Sequence, residues 1–89
     1  MSTQEKLIER FLRQPKDFTY RELTRLLNGF GYIAENKGKT SGSRVIFYNR
    51  EKRHSIMLHK PHPGNIMKAY AMKNVLQELE TLGFIKKEN

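Results

Sequence analysis

The sequence predicts a single α+β domain in which helices cover one face of a three-stranded antiparallel sheet. Three observations lead to this prediction. The chain has 89 residues, which suffices for one core and is too short for two at about 150 residues per domain. Apolar residues recur with helical spacing at both ends of the chain and alternate with polar ones in its middle. Prolines and glycines separate these segments, which gives the order α-α-β-β-β-α in two layers.

Two helices open the chain. The first is predicted over residues 3–14, where apolar residues such as Leu7 and Phe11 fall four apart and Pro15 prevents continuation. The second begins at Thr19, because Glu22 three residues later completes the pattern of a capping box. An Asn-Gly pair at 28–29 ends it.

Three strands and a closing helix follow. Runs rich in β-branched and aromatic residues predict strands over 31–35, 44–49 and 55–60, with a loop at 36–42 and a hairpin turn at 50–54. Pro61 and Pro63 close the third strand, since neither can donate to a ladder. Helical spacing returns over 66–82, and Gly83 is the expected residue after the helix end.

Alternation assigns the faces of the sheet. The apolar residues expected beneath the helices are Val45, Phe47, Ile56 and Leu58. Pairing these residues across the hairpin places Tyr48 near Ser55 and Arg44 near His59, on the opposite, uncovered face. Ile46 and Met57 share that face. The residues entering the second strand and those leaving the third are therefore expected to converge at one end.

Charge is concentrated in the middle of the chain. The net charge is +8, and residues 36–68 hold eight basic side chains against Glu51 alone. Lysines that only solvate loops would be scattered over the surface. An asymmetry this strong instead favours a polyanionic partner. The absence of cysteine excludes a disulfide scaffold, a cysteine zinc site and a thiol nucleophile. No apolar run is long enough to span a membrane and the first ten residues lack a signal-peptide core, so we expect a cytoplasmic protein.

Three histidines are the side chains that titrate near neutral pH. They make a poor metal site, because His54 lies at the far end of the hairpin and no acidic ligand is near His59 or His62. His59 suits a general base better, with Arg44 and Lys60 as cations for a phosphorane, and this chemistry needs no metal or cofactor.

Each candidate also has a purely structural interpretation. His59 could hydrogen-bond backbone at the strand end, and His62, between two prolines, could equally stabilise a turn. His54 is expected to be a solvated hairpin residue. Tyr48 could stack on a base or simply cover its apolar neighbours. An exposed apolar patch beside Tyr48 would also suit a protein partner.

Several residues together resemble the HicA toxin family. Gly42-Ser43 entering a strand, the run Pro61-His62-Pro63-Gly64 after the next strand, and a closing helix that ends in Leu-Gly-Phe carry the resemblance over residues 18–86. It implies a double-stranded-RNA-binding-like α-β-β-β-α fold, to which the helix at 3–14 is an addition. It also implies a metal-independent endoribonuclease that cuts mRNA and arrests growth, neutralised by a HicB-type antitoxin.

The family's catalytic histidine follows the Gly-Ser pair directly or after one residue, and this chain has Arg44-Val45 there. Either the protein binds RNA without cleaving it, or His59 serves as a substitute general base. The residues expected to contact RNA in both cases are Lys37, Lys39, Ser43, Arg44, Tyr48, Lys60 and His62.

Two other classes of function compete with this one. Two helices followed by a hairpin are also typical of a winged helix, with residues 19–28 as recognition helix. That helix has only two basic side chains, Arg21 and Arg25, and Glu22 partly balances their charge. Most of the positive charge lies on strands and loops. A module that binds only protein, with its basic middle docked on an acidic partner, is the other alternative.

Overall fold

A computed structural model of the protein describes residues 3–35, 44–61 and 64–86. Its elements are α1 (Thr3–Leu12), α2 (Tyr20–Gly29), β1 (Tyr32–Glu35), β2 (Arg44–Asn49), β3 (His54–His59) and α3 (Ala69–Thr81). The α+β class and the predicted order of elements are confirmed. No helix within the described ranges is long and apolar enough to cross a membrane.

The capping box predicted at the start of α2 is present. The Glu22 amide donates to Thr19 Oγ1 over 3.1 Å, and the Thr19 amide donates to Glu22 Oε1 over 2.9 Å. Arg10 of α1 donates to the same carboxylate through Nε, at 3.0 Å. This hydrogen bond, followed by those within the capping box, outweighs partial burial and lowers the pKa of Glu22. One carboxylate thus caps α2 and fastens α1 to it.

α3 begins at Ala69, three residues later than helical spacing predicted. The preceding segment is extended, because the Tyr20 amide donates to the Asn65 carbonyl and the Met67 amide to the Phe18 carbonyl, both at 2.8 Å. These bonds form an isolated bridge between Thr19 and Ile66, which removes Ile66 from the helix. The segments that precede α2 and α3 are therefore joined side by side.

The end of α3 follows the prediction. Gly83 has φ +83°, a left-handed conformation that suits glycine. Its amide donates to the Glu80 carbonyl and the next amide, of Phe84, donates to the Leu79 carbonyl, the two bonds of a Schellman motif. Phe84 then packs back against Phe30, with ring centroids 5.0 Å apart.

The sheet has the order β1-β2-β3, and both pairs are antiparallel. The register predicted for the hairpin is confirmed: Tyr48 pairs with Ser55, and Arg44 pairs with His59. The face beneath the helices is buried, as its central pair Phe47 and Ile56 illustrates. The strand β3 begins one residue earlier than predicted, at His54. The core also takes in Leu7 and Phe11 of α1, so the first helix packs with the rest.

Candidate nucleic-acid interface

The second face of the sheet is uncovered and largely apolar. Ile33 is 63% exposed, Met57 53% and Ile46 38%, with Tyr48 half-buried among them. These residues pair across the strands, Ile33 with Tyr48 and Ile46 with Met57, so they form one continuous patch. The helices pack on the opposite face, where the sheet residues are buried. This patch offers a flat surface on which bases or a protein partner could lie.

Basic residues meet where the hairpin strands begin and end. Arg44 is the first residue of β2 and His59 the last of β3, and the register sets them directly opposite each other on the uncovered face. Lys60 follows immediately. All three are exposed, and within the described part of the chain none of their side chains makes a hydrogen bond or ion pair. We call Arg44, His59 and Lys60 the open end of the hairpin.

Four of the residues expected to contact RNA lie outside the described residues: Lys37, Lys39, Ser43 and His62. The others fall on the uncovered face or beside it. Arg44 and Tyr48 share that face with His59, and Lys60 adjoins it at the open end. The strand register therefore brings Arg44, His59 and Lys60 together, whereas Tyr48 lies on the same face four residues further along β2, near the other end of the hairpin.

His54 departs from expectation. It is the first residue of β3, and both of its ring nitrogens have a hydrogen-bond partner. Nδ1 lies 2.9 Å from the Tyr32 hydroxyl, and Nε2 lies 2.7 Å from Glu78 Oε1. A carboxylate only accepts hydrogen bonds, so Nε2 carries a proton, and in the neutral ring Nδ1 accepts from Tyr32. His54 thereby joins β1, β3 and α3, and the expectation of a solvated hairpin residue is wrong. The expectation failed because the partner comes from tertiary structure: Glu78 lies on a helix, 24 residues further along the chain.

Asn49 completes the paired end of the hairpin. It is 1% exposed, and its side chain donates to the Phe30 carbonyl and accepts from the Lys52 amide, both at 2.9 Å. It pairs with His54 across the strands, and Tyr32 flanks it on β1. We call Tyr32, Asn49, His54 and Glu78 the closed end. Burial, followed by the charge of Glu78, raises the pKa of Tyr32 to about 12.

The fold divides the basic segment into two groups. Arg50, Lys52 and Arg53 belong to the turn at the closed end, whereas Arg44 and Lys60 lie at the open end. The hairpin strands separate the groups by roughly 20–23 Å at about 3.3 Å per residue. A sugar-phosphate chain that spans both groups would run along the length of the hairpin.

Sequence reasoning missed one contributor to this surface. Ile33 belongs to the uncovered patch, a placement that follows once β1 is paired with β2 and that the short strand alone did not suggest. It also did not anticipate Tyr70, which is 60% exposed at the start of α3 and lines a groove beside β3. Within the described ranges, no three His, Asp or Glu side chains come together in a way that could hold a metal ion.

The fold and this surface define a class of protein: a small basic α+β domain with helices on one face of a three-stranded sheet and cations at an uncovered end. A family model for the HicA toxin of bacterial toxin-antitoxin systems matches residues 20–87, more than half of the chain. The chain belongs to the HicA toxin family, and it is a toxin that has an antitoxin partner. The match begins at the first residue of α2, so α1 lies before it. No curated protein and no solved structure matches the chain.

Proposed function

We propose that this toxin is a cytoplasmic, metal-independent endoribonuclease that binds and cuts mRNA, with His59 as its general base. One observation supports the proposal above all: Arg44 and His59 form a cross-strand pair at the exposed, basic end of an uncovered sheet. The ring nitrogens of His59 have no partner among the described residues, and an imidazole with a nearby guanidinium can supply the base and the cation that phosphoryl transfer between RNA oxygens needs.

In this mechanism His59 accepts the proton of a 2′-hydroxyl as that oxygen attacks the adjacent phosphorus. The bond from phosphorus to the 5′-oxygen breaks, and the departing oxygen takes a proton from the imidazolium or from water. Arg44 and Lys60 stabilise the charge that builds on the phosphorane oxygens. The products are a 2′,3′-cyclic phosphate and a 5′-hydroxyl, and no metal or cofactor takes part.

RNA binding would extend from the open end across the patch. Tyr48 and its neighbour Ile46 present an aromatic and an apolar surface on which bases can stack. The residues proposed to hold the sugar-phosphate chain are Lys37, Lys39, Ser43, Arg44, Lys60 and His62. Binding of this kind weakens steeply with salt, by up to about 0.9 log units per log unit of salt for each phosphate contacted.

The antitoxin is proposed to be of the HicB type and to cover the same face. A neutralising protein that lies over Ile33, Ile46 and Met57 would bury the exposed apolar patch and block the open end together. This single arrangement accounts for an apolar patch and cations without an ion-pair partner among the described residues lying together.

Cleavage of labelled mRNA in the presence of a chelator tests the proposal. We expect cleavage by the native protein, and a loss of about 10²–10⁴-fold in His59→Ala and His59→Gln, the size usual for a general base. Arg44→Ala should lower cleavage as well. Arg25→Ala is the matched control, since it removes another exposed arginine, from α2. If Arg25→Ala reduces RNA binding and Arg44→Ala does not, the recognition-helix interpretation replaces this one.

A second function has its own supporting observation. Where the family has its histidine after Gly-Ser, this chain has Arg44, which can hold a phosphate but cannot act as a base at neutral pH. The protein would then bind RNA without cutting it. Retention of RNA by the native protein with no cleavage, and equal retention by His59→Gln, would establish this alternative.

A further inference from the structure

β3 lies at an edge of the sheet, and no strand of the described residues lies beside its outer side. Among the described residues, no backbone group forms a hydrogen bond with this outer side. Three successive apolar residues, 56–58, occupy the middle of the strand. Proteins commonly protect such an edge with a proline, a lysine, a bulge or a covering element. His54–His59 contains neither proline nor lysine, so the edge is able to accept another strand.

A groove of about 650 Å³ runs between this edge and α3. Residues 55–61 line it without interruption. Side chains of a strand alternate between its two faces, so an unbroken run of lining residues means that the backbone edge itself forms this wall. The opposite wall belongs to α3, where Tyr70, Ala71 and Asn74 contribute an aromatic ring, a small residue and an amide.

The groove has a cationic end. α3 runs antiparallel to β3, because His54 at the start of β3 meets Glu78 near the end of α3. Lys68, just before α3, therefore lies at the same end as Lys60, which follows β3. At the other end, the carboxylate of Glu78 is already bonded to His54. Within the described ranges neither lysine has an ion-pair partner.

We propose that this groove binds an extended segment of a partner protein, which pairs with β3 as a fourth strand and directs acidic side chains to Lys60 and Lys68. Backbone hydrogen bonds along the edge would provide affinity, and the lysines would select the acidic end. A second copy of this chain is a poorer occupant, because each copy has a net charge of +8 and β3 contains no acidic residue. The proposal concerns the outer edge of the sheet and does not depend on RNA cleavage.

A synthetic peptide provides the probe: acetyl-Thr-Val-Thr-Val-Thr-Val-Glu-Glu-amide, titrated into the ¹⁵N-labelled protein. A strand can add in either direction, so the two glutamates can reach the lysines whichever way the peptide runs. We expect shifts of the backbone amides of residues 55–60 and of Tyr70 and Asn74, with α1 and β1 unchanged. Two further peptides carry N-methyl groups on alternate amides, one on the odd and one on the even positions. Only one set of amides can face β3, so one peptide should lose binding and the other should keep it.

Variants of the protein test the charge. Lys68→Glu should weaken binding of the peptide roughly tenfold, since an attractive contact becomes repulsive. Lys73→Glu, exposed on α3 and outside the groove, is the matched control and should change affinity less than about twofold.

Three results would overturn the proposal. They are no shift in residues 55–60, equal binding of both methylated peptides, or shifts at the groove produced by a single-stranded RNA oligonucleotide instead of the peptide. Lys68 is not among the residues proposed to contact RNA. A His59→Ala variant that binds the peptide normally and fails to cleave RNA would leave both proposals standing, and each can fail alone.

Discussion

The two ends of the β2–β3 hairpin differ in whether their polar side chains have hydrogen-bond partners among the described residues. At the closed end, Asn49 is 1% exposed and each side-chain group has a partner within the protein. His54 likewise has a partner on both ring nitrogens. At the open end, Arg44 and His59 are exposed and have no polar partner within the described residues. The same hairpin thus carries one histidine with both ring nitrogens paired and another whose ring nitrogens have no partner among the described residues.

This difference separates a histidine that holds elements of the fold together from the one proposed to act on RNA. A buried polar group must be hydrogen-bonded, because leaving it unpaired costs about 1–3 kcal/mol. The chain meets that requirement at the closed end with partners from β1, α3, the hairpin turn and the residue that follows α2. At the open end the described residues provide no partner for the Arg44 and His59 side chains, so these groups are accessible to solvent and to a ligand. The comparison predicts that mutations at the closed end affect stability and that mutations at the open end affect function.

The largest effect on stability is expected from Asn49→Ala. The substitution leaves the Phe30 carbonyl and the Lys52 amide without their partner, and we expect a loss of about 2–3 kcal/mol in the free energy of unfolding. Chemical denaturation measures it. Asn74→Ala, which alters an exposed asparagine of α3, is the control and should stay within about 0.5 kcal/mol. Equal losses in the two variants would mean that the closed end is not held by Asn49.

The two histidines should give opposite results. His54→Ala removes the partner of the buried Tyr32 hydroxyl and the contact with Glu78, which should cost about 1–2 kcal/mol. His59→Ala should change the free energy of unfolding by less than about 0.5 kcal/mol, as is usual for an exposed residue.

RNA cleavage per folded molecule should reverse this order, with His54→Ala active and His59→Ala inactive. Denaturation curves and cleavage assays of the same two preparations provide the test. A His59→Ala protein that is the less stable of the two would remove the distinction between the ends.

Local signals in the sequence specify much of the fold. The capping box of Thr19 and Glu22 begins α2 where it was predicted, since both partners lie within one helical turn. The hairpin register was predictable for a different reason: a slip of one residue would turn Phe47 and Ile56 toward water. That register also brings Arg44 opposite His59, so this part of the candidate site followed from the pattern of apolar residues.

Contacts between distant segments account for what the sequence did not reveal. Helical spacing includes Ile66, yet a bridge to Thr19, far away along the chain, draws it into extended structure. His54 was expected in a solvated turn, and only the packing of α3 against β3 brings Glu78 to it. The groove beside β3 is also invisible in the sequence, because its two walls come from separate elements.

The smallest effect expected at the closed end is that of Tyr32→Phe. The variant loses the hydrogen bond from the hydroxyl to His54 and keeps the buried ring, so we expect a loss of about 1 kcal/mol at neutral pH. Since burial and the charge of Glu78 raise the pKa of Tyr32 from 10.0 to about 12, folding favours the protonated phenol. The contribution of this protonated phenol to the free energy of unfolding is fully present below pH 10 and is lost as the pH rises toward 12.

The native protein should therefore lose stability between pH 10 and 12, and Tyr32→Phe should lose less over the same interval. Denaturation at several alkaline pH values, together with the absorbance change of tyrosinate, measures both effects. Tyr48→Phe on the uncovered face is the matched control, because its hydroxyl has no hydrogen-bond partner among the described residues. If Tyr48→Phe reduced the loss of stability between pH 10 and 12 as much as Tyr32→Phe does, the buried hydroxyl of Tyr32 would not be the cause of that loss.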